Sequence, residues 1–120
     1  MIQSQGCPCT GRSLPRLLRP GIMAYLAHGE AHGYQIAQHL SQMRMFADRG
    51  VDHPGLYRAL KEMADEGLVT ASWETGDSGP ARRVFTLTAA GHGCLQTWRS
   101  TLCEYRDAID ELLALIDEAE

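Results

Sequence analysis

Asp52-His53-Pro54-Gly55-Leu56-Tyr57-Arg58-Ala59-Leu60-Lys61-Glu62-Met63-Ala64-Asp65-Glu66-Gly67 is the stretch on which the reading of this chain turns. Leu56, Ala59, Leu60, Met63 and Ala64 recur at i, i+3, i+4, i+7 and i+8, which places them along one stripe of an α-helix. That stripe is committed to a core. Tyr57, Arg58 and Lys61 neighbour one another on another side, and all three can donate to phosphate or base edges. Asp52 can accept from the free amides of the first turn, Pro54 falls where a missing N–H costs nothing, and Gly67 suits the left-handed close of a helix. An ordinary surface helix, with Arg58 and Lys61 solvated beside Glu62 and Asp65, is the alternative.

Working back towards the N-terminus, Ile36, Ala37, Leu40 and Met43 lie on one face of a helix opened by His32 and Gly33, with Gln35, Gln38, His39 and Gln42 on the other. Before it, Leu14, Leu17, Leu18, Ile22, Met23, Tyr25 and Leu26 predict a first helix over residues 14–27, bent or begun again at Pro20 and ended by Gly29. Phe46 to Val51 reads as a linker. Three short helices with a turn before the third form the skeleton of a helix-turn-helix module.

Forward of Gly67 the period shortens. Leu68, Val69, Ala71 and Trp73 alternate with Thr70, Ser72 and Glu74; Arg83, Phe85 and Leu87 alternate with Val84 and Thr86. Thr75-Gly76-Asp77-Ser78-Gly79-Pro80 between them is a turn-rich tip, so a β-hairpin follows the third helix. The fold class is therefore mainly α with a small β-hairpin (α+β), a winged helix-turn-helix. Arg82 and Arg83 on the return strand can reach a phosphate or the minor groove, or can serve only to keep an edge strand soluble.

Thr88 can cap a last helix running towards Glu118, whose first turns Gly91 and Gly93 weaken. Leu95, Trp98, Leu102, Tyr105, Ile109, Leu112 and Ile116 are separated by 3, 4, 3, 4, 3 and 4 residues. So strict a repeat marks a seam, and a helix of about 30 residues extends roughly 45 Å, more than one small domain covers. A second copy of the chain is the expected partner, giving a long C-terminal dimerisation helix. Trp98 and Tyr105 share the seam, where two rings could hold a flat organic ligand, although plain packing is the commoner use of such rings.

The boundaries that result are a cysteine-containing leader over 1–13, a DNA-binding winged module over 14–88 and a dimerisation helix over 89–120. In the leader, Cys7 and Cys9 are the candidate pair for metal or redox sensing, set against incidental thiols in a tail. Cys94 and Cys103 are nine residues apart and, at about 100° per residue, face opposite ways on one helix. They cannot share an ion.

With 120 residues, 44% of them apolar, the chain can bury one modest core. No apolar run approaches a membrane span and no export signal opens the chain, so a cytoplasmic location without a membrane partner is expected. The net charge of −4 is uneven: residues 1–88 hold nine Lys/Arg against eight Asp/Glu, and 89–120 hold two against seven. Grouped cations on a near-neutral front half can still bind DNA, because phosphate neutralisation is local. No Gly-rich phosphate loop or nucleophile–base pair is present, which argues against an enzyme.

Several stretches together resemble the PadR family of bacterial transcriptional regulators. They are Leu26-Ala27-His28-Gly29 with His32-Gly33-Tyr34, Pro54-Gly55-Leu56-Tyr57-Arg58-Ala59-Leu60, Glu66-Gly67-Leu68-Val69, and Gly79-Pro80-Ala81-Arg82-Arg83-Val84-Phe85-Thr86-Leu87-Thr88 with Gly91. The resemblance implies a winged-helix homodimer joined through its C-terminal helix, and usually a repressor of nearby genes that answers to a small-molecule effector. It implies a recognition helix over Pro54 to Lys61 with Tyr57 facing phosphate, and wing arginines at Arg82 and Arg83. Two positions depart from the pattern: Gly55 stands where Thr or Ser is common, removing a hydroxyl that could bind phosphate, and Phe85 replaces a frequent Tyr.

The expected DNA contacts are Tyr57, Arg58, Lys61, Arg82 and Arg83, on a double-stranded operator that is an inverted repeat. The rival expectation is a winged-helix adaptor that uses its third helix and seam for protein partners.

Overall fold

The computed structural model describes residues 17–47, 50–74 and 82–119. Helix α1 spans Leu18–Leu26 and buries Ile22, Met23 and Leu26. Pro20 lies in its first turn, where backbone amides have no intrahelical acceptor anyway, so the proline starts the helix and does not bend it. A two-residue strand β1, Ala31–His32, then leads into α2, Gly33–Ser41. The amide of His32 donates to Gln35 Oε1 at 2.8 Å and so fixes the start of α2.

Two local expectations change after α2. The helix ends at Ser41, so Met43 leaves the apolar stripe and stands 39% exposed. Arg44–Phe46 forms a 3₁₀ turn that drives Phe46 into the core in place of a plain linker. Ser41 Oγ accepts from the Val51 amide at 3.0 Å, closing the loop that leads to α3.

Helix α3 spans His53–Asp65. Asp52 caps it by accepting from the Gly55 amide at 2.9 Å, and Leu56, Ala59, Leu60 and Met63 are buried as their spacing requires. Gly67, at φ 81°, makes the left-handed turn out of the helix.

Strands β2, Val69–Glu74, and β3, Arg82–Leu87, pair antiparallel, with Val69 opposite Leu87 and Glu74 opposite Arg82. β1 joins the other edge of β3, Ala31 against Phe85 and His32 against Val84, giving the order β1-β3-β2. This third strand was not expected. Two residues are too few to show an alternating pattern, and only the return of β3 gives them a partner.

Helix α4 spans Ala89–Glu118. Thr88 Oγ1 accepts from the Gly91 amide at 3.0 Å and lies 2.7 Å from the Gly67 carbonyl, tying the start of α4 to the end of α3. Gly91 is more than a weak helix residue: a Cβ there would lie 2.2 Å from the Leu68 carbonyl oxygen and 2.4 Å from Leu87 Cδ1. Its bareness lets α4 rest on the sheet. Cys94, Leu95 and Trp98 pack against the core, whereas Tyr105 and the apolar residues beyond it are exposed. No helix among the described residues is long and apolar enough to cross a membrane.

Candidate nucleic-acid interface

The polar side of α3 carries Tyr57, Arg58 and Lys61, all exposed. Arg58 and Lys61 lie one turn apart, and neither forms an ion pair among the described residues. The acids of the same helix are drawn elsewhere. Arg19 on α1 grips Glu66 with both terminal nitrogens, at 2.9 and 2.6 Å, and lies 3.5 Å from Glu62. The hydrogen bond from Arg19 holds the Glu66 carboxyl below the ordinary carboxylate range, and the same bond raises the guanidinium further. Cations and anions of α3 are thus sorted onto different sides, which a solvated mixed-charge face would not require.

Tyr57 does not project freely. Its ring crosses the start of α2 so closely that a Cβ on Gly33 would lie 2.5 Å from its hydroxyl and ring edge. The phenol therefore sits beside the first turn of α2, whose amides have no intrahelical acceptor and favour an anion. Tyr34 on α2 stacks on His53, the first residue of α3, with centroids 6.2 Å apart and planes 29° from parallel. The start of α2 and the face of α3 form one continuous surface of Tyr34, His53, Tyr57, Arg58 and Lys61. Tyr34 and His53 escaped the residue-by-residue reading, since nothing in their spacing shows that the two helix starts meet.

On the hairpin, Arg82 and Arg83 alternate in direction as neighbours on a strand must, so they cannot serve the same phosphate. Arg83 shares a face with Phe85 and lies across from Trp73; its guanidinium is 5.7 Å from the Trp73 ring centre and 5.6 Å from that of Phe85. Arg82 belongs to the other face, opposite Glu74, whose carboxylate lies 3.2 Å from His32 Nε2. Gly79 and Pro80 of the tip lie outside the described residues.

The seam residues divide into two groups. Leu95 and Trp98 rest on the chain's own core and Leu102 is half-buried, whereas Tyr105, Ile109, Leu112 and Ile116 are 53, 55, 56 and 52% exposed. Leu113 and Leu115 widen that bare stretch. Trp98 and Tyr105 are two turns apart, roughly 10 Å along the axis, and no described pocket joins them. Cys7 and Cys9 lie outside the described residues, and among those described no group of His, Cys, Asp or Glu is arranged to hold a metal ion.

The comparisons with known proteins agree with this geometry. Residues 22–97 match the Transcriptional regulator PadR-like family. The negative transcriptional regulator PadR of Bacillus subtilis is 28% identical over 83 residues, 69% of this chain and 45% of that protein, so the chain spans under half of its relative's length. The crystal structure of Bacillus subtilis PadR in complex with operator DNA superposes with a TM-score of 0.61 at 28% identity, covering 69% of this chain and 46% of that one. In fold, TA0346 of Thermoplasma acidophilum (TM-score 0.71, 24% identity, 82% of this chain and 91% of that one) is similar. So is a PadR family transcription regulator of Clostridium difficile, at TM-score 0.69 and 21% identity, covering 82% of this chain and 99% of that one. With more than half its length matched by the family pattern and the same winged architecture, the chain belongs to the PadR-like family of transcriptional regulators.

Proposed function

We propose that the chain is a homodimeric, sequence-specific DNA-binding repressor of transcription, working in the cytoplasm where the DNA is. The observation that carries this reading is the open cationic side of α3, its acids drawn away by Arg19, in a fold similar to that of Bacillus subtilis PadR in complex with operator DNA. Arg58 and Lys61 are assigned to base edges, and Tyr57, Arg82 and Arg83 mainly to phosphate. Residues 14–88 serve as the DNA-binding module, and 89–120 join two copies.

The bare apolar residues of α4 support the dimer. Tyr105, Ile109, Leu112 and Ile116, with Leu95, Trp98 and Leu102 nearer the core, form one line along the helix, and no element among the described residues covers its outer half. Two copies related by a two-fold axis set their recognition helices about 34 Å apart, in successive major grooves of an inverted repeat. Release from DNA is assigned to a small molecule at Trp98 and Tyr105 or to a metal or redox signal at Cys7 and Cys9. Metal content of tag-free protein and the regulation of a Cys7→Ser/Cys9→Ser variant separate the two.

A salt titration of binding to duplex DNA tests the main reading. Phosphate contacts give an affinity that falls steeply with salt, whereas a protein adaptor with the same fold gives no salt-sensitive DNA binding.

A further inference from the structure

Trp73 is 65% exposed, although it is one of the largest apolar rings in the chain. Its exposure means that burial in the core does not explain it. What it does contact is Arg83, its direct cross-strand partner, whose guanidinium carbon lies 5.7 Å from the ring centre. Phe85, two residues along β3 on the same face and 2% exposed, supplies a second ring at 5.6 Å. Both distances fall within the reach of about 6 Å over which a cation is attracted to an aromatic face.

Arg83 pairs with no carboxylate among the described residues. A guanidinium held by aromatic rings keeps N–H groups to offer an acceptor, and the acceptor geometry that suits this fork best is a phosphate or carboxylate. A long arginine side chain left loose would lose much of its rotamer freedom on binding, and a side chain already held loses less.

We propose that Trp73 is a positioning residue for the wing: with Phe85 it forms an aromatic cradle that holds Arg83 ready for a DNA phosphate. The inference rests on the DNA-binding reading above. Phe85 is fixed by the core, so Trp73 is the adjustable wall of the cradle. Its work is done through Arg83 and not by touching DNA.

The test is a double-mutant cycle on a labelled duplex selected from a random pool by the wild-type protein, with melting temperature measured in parallel. Arg83→Met keeps an apolar cover over Phe85 but removes the guanidinium, and should lower the slope of log affinity against log salt by about 0.9. Trp73→Ala should weaken binding roughly two- to five-fold, the range expected of an exposed cation–π contact. Trp73→Leu, which keeps bulk without a π face, should behave like Trp73→Ala, and Trp73→Phe should recover the wild-type affinity. In the Arg83→Met background Trp73→Ala should have no further effect.

An equal loss in both backgrounds means that Trp73 touches DNA itself and overturns the inference while leaving the DNA reading intact. Recovery by Trp73→Leu, or unchanged binding by Trp73→Ala, also overturns it. Absence of salt-dependent duplex binding by the wild-type protein sinks the DNA reading, and the inference with it.

Discussion

The ring of Tyr57 lies across the backbone of Gly33, filling the space that a side chain on Gly33 would need. This contact joins the start of α2 to the exposed side of α3 and places a phenol hydroxyl beside free helix amides. Gly33→Ala would set a Cβ 2.5 Å from the ring, forcing Tyr57 to swing away. The core is untouched by that swing. Gly33→Ala is therefore expected to reduce duplex affinity by several-fold with only a small change in melting temperature, read by fluorescence anisotropy and thermal unfolding. A large fall in melting temperature with unaltered affinity would show that the contact serves the fold alone.

Gly91 gives the opposite expectation. Its virtual Cβ meets a backbone carbonyl, that of Leu68, as well as Leu87, and neither can simply rotate aside. Gly91→Ala should lift the start of α4 from the sheet and destabilise the protein by about 1–3 kcal/mol, the usual cost of overpacking. Gly93, with nothing within 4 Å of its virtual Cβ, is the control. Gly93→Ala should be neutral or stabilising, because alanine is the better helix former. Chemical denaturation of both variants checks the pair.

The clamp between Arg19 and Glu66 carries a pH dependence of known sign. Its hydrogen bond holds the Glu66 carboxyl below the ordinary value near 4.5, so its stabilising effect is complete above that value and is lost as pH falls through the lower, folded value. The melting temperatures of wild type and Arg19→Met should differ at pH 7 and converge under acid. A difference that persists under acid would mean that Arg19 acts by packing its stem.

The outer half of α4 sets the assembly. Leu112 and Ile109 are 56 and 55% exposed, so a charge placed there should leave the chain's own core undisturbed. Ile109→Asp/Leu112→Asp should give a folded monomer by sedimentation, with much weaker DNA binding because one recognition helix must then hold alone. A dimer of wild-type strength would remove the seam from the account.

Much of this architecture was legible in the residues themselves. The stripe from Leu56 to Met63, the caps at Asp52 and Thr88 and the alternation of the hairpin each have a local cause, and local causes are what a sequence displays. What escaped depended on distant parts meeting. β1 exists only because β3 returns beside it, Phe46 is buried only because the chain tightens into a 3₁₀ turn, and Gly91 became a packing residue only once Leu68 and Leu87 were seen beneath it. At the candidate interface, Tyr57, Arg58 and Lys61 could be read from helical spacing. Their neighbours Tyr34 and His53 could not, because the stack joins two helices across a loop. The strand period already implied that Arg82 and Arg83 point apart, and the register made it explicit.

Hydroxyl-radical footprinting on the selected duplex tests the central claim most directly, with wild type and Arg58→Ala/Lys61→Ala side by side. The account predicts two protected patches about one helical turn apart for the wild type, arranged symmetrically on an inverted repeat, and their loss in the variant while the protein remains folded and dimeric. A single patch, no footprint, or a footprint unchanged by removing both cations would contradict it.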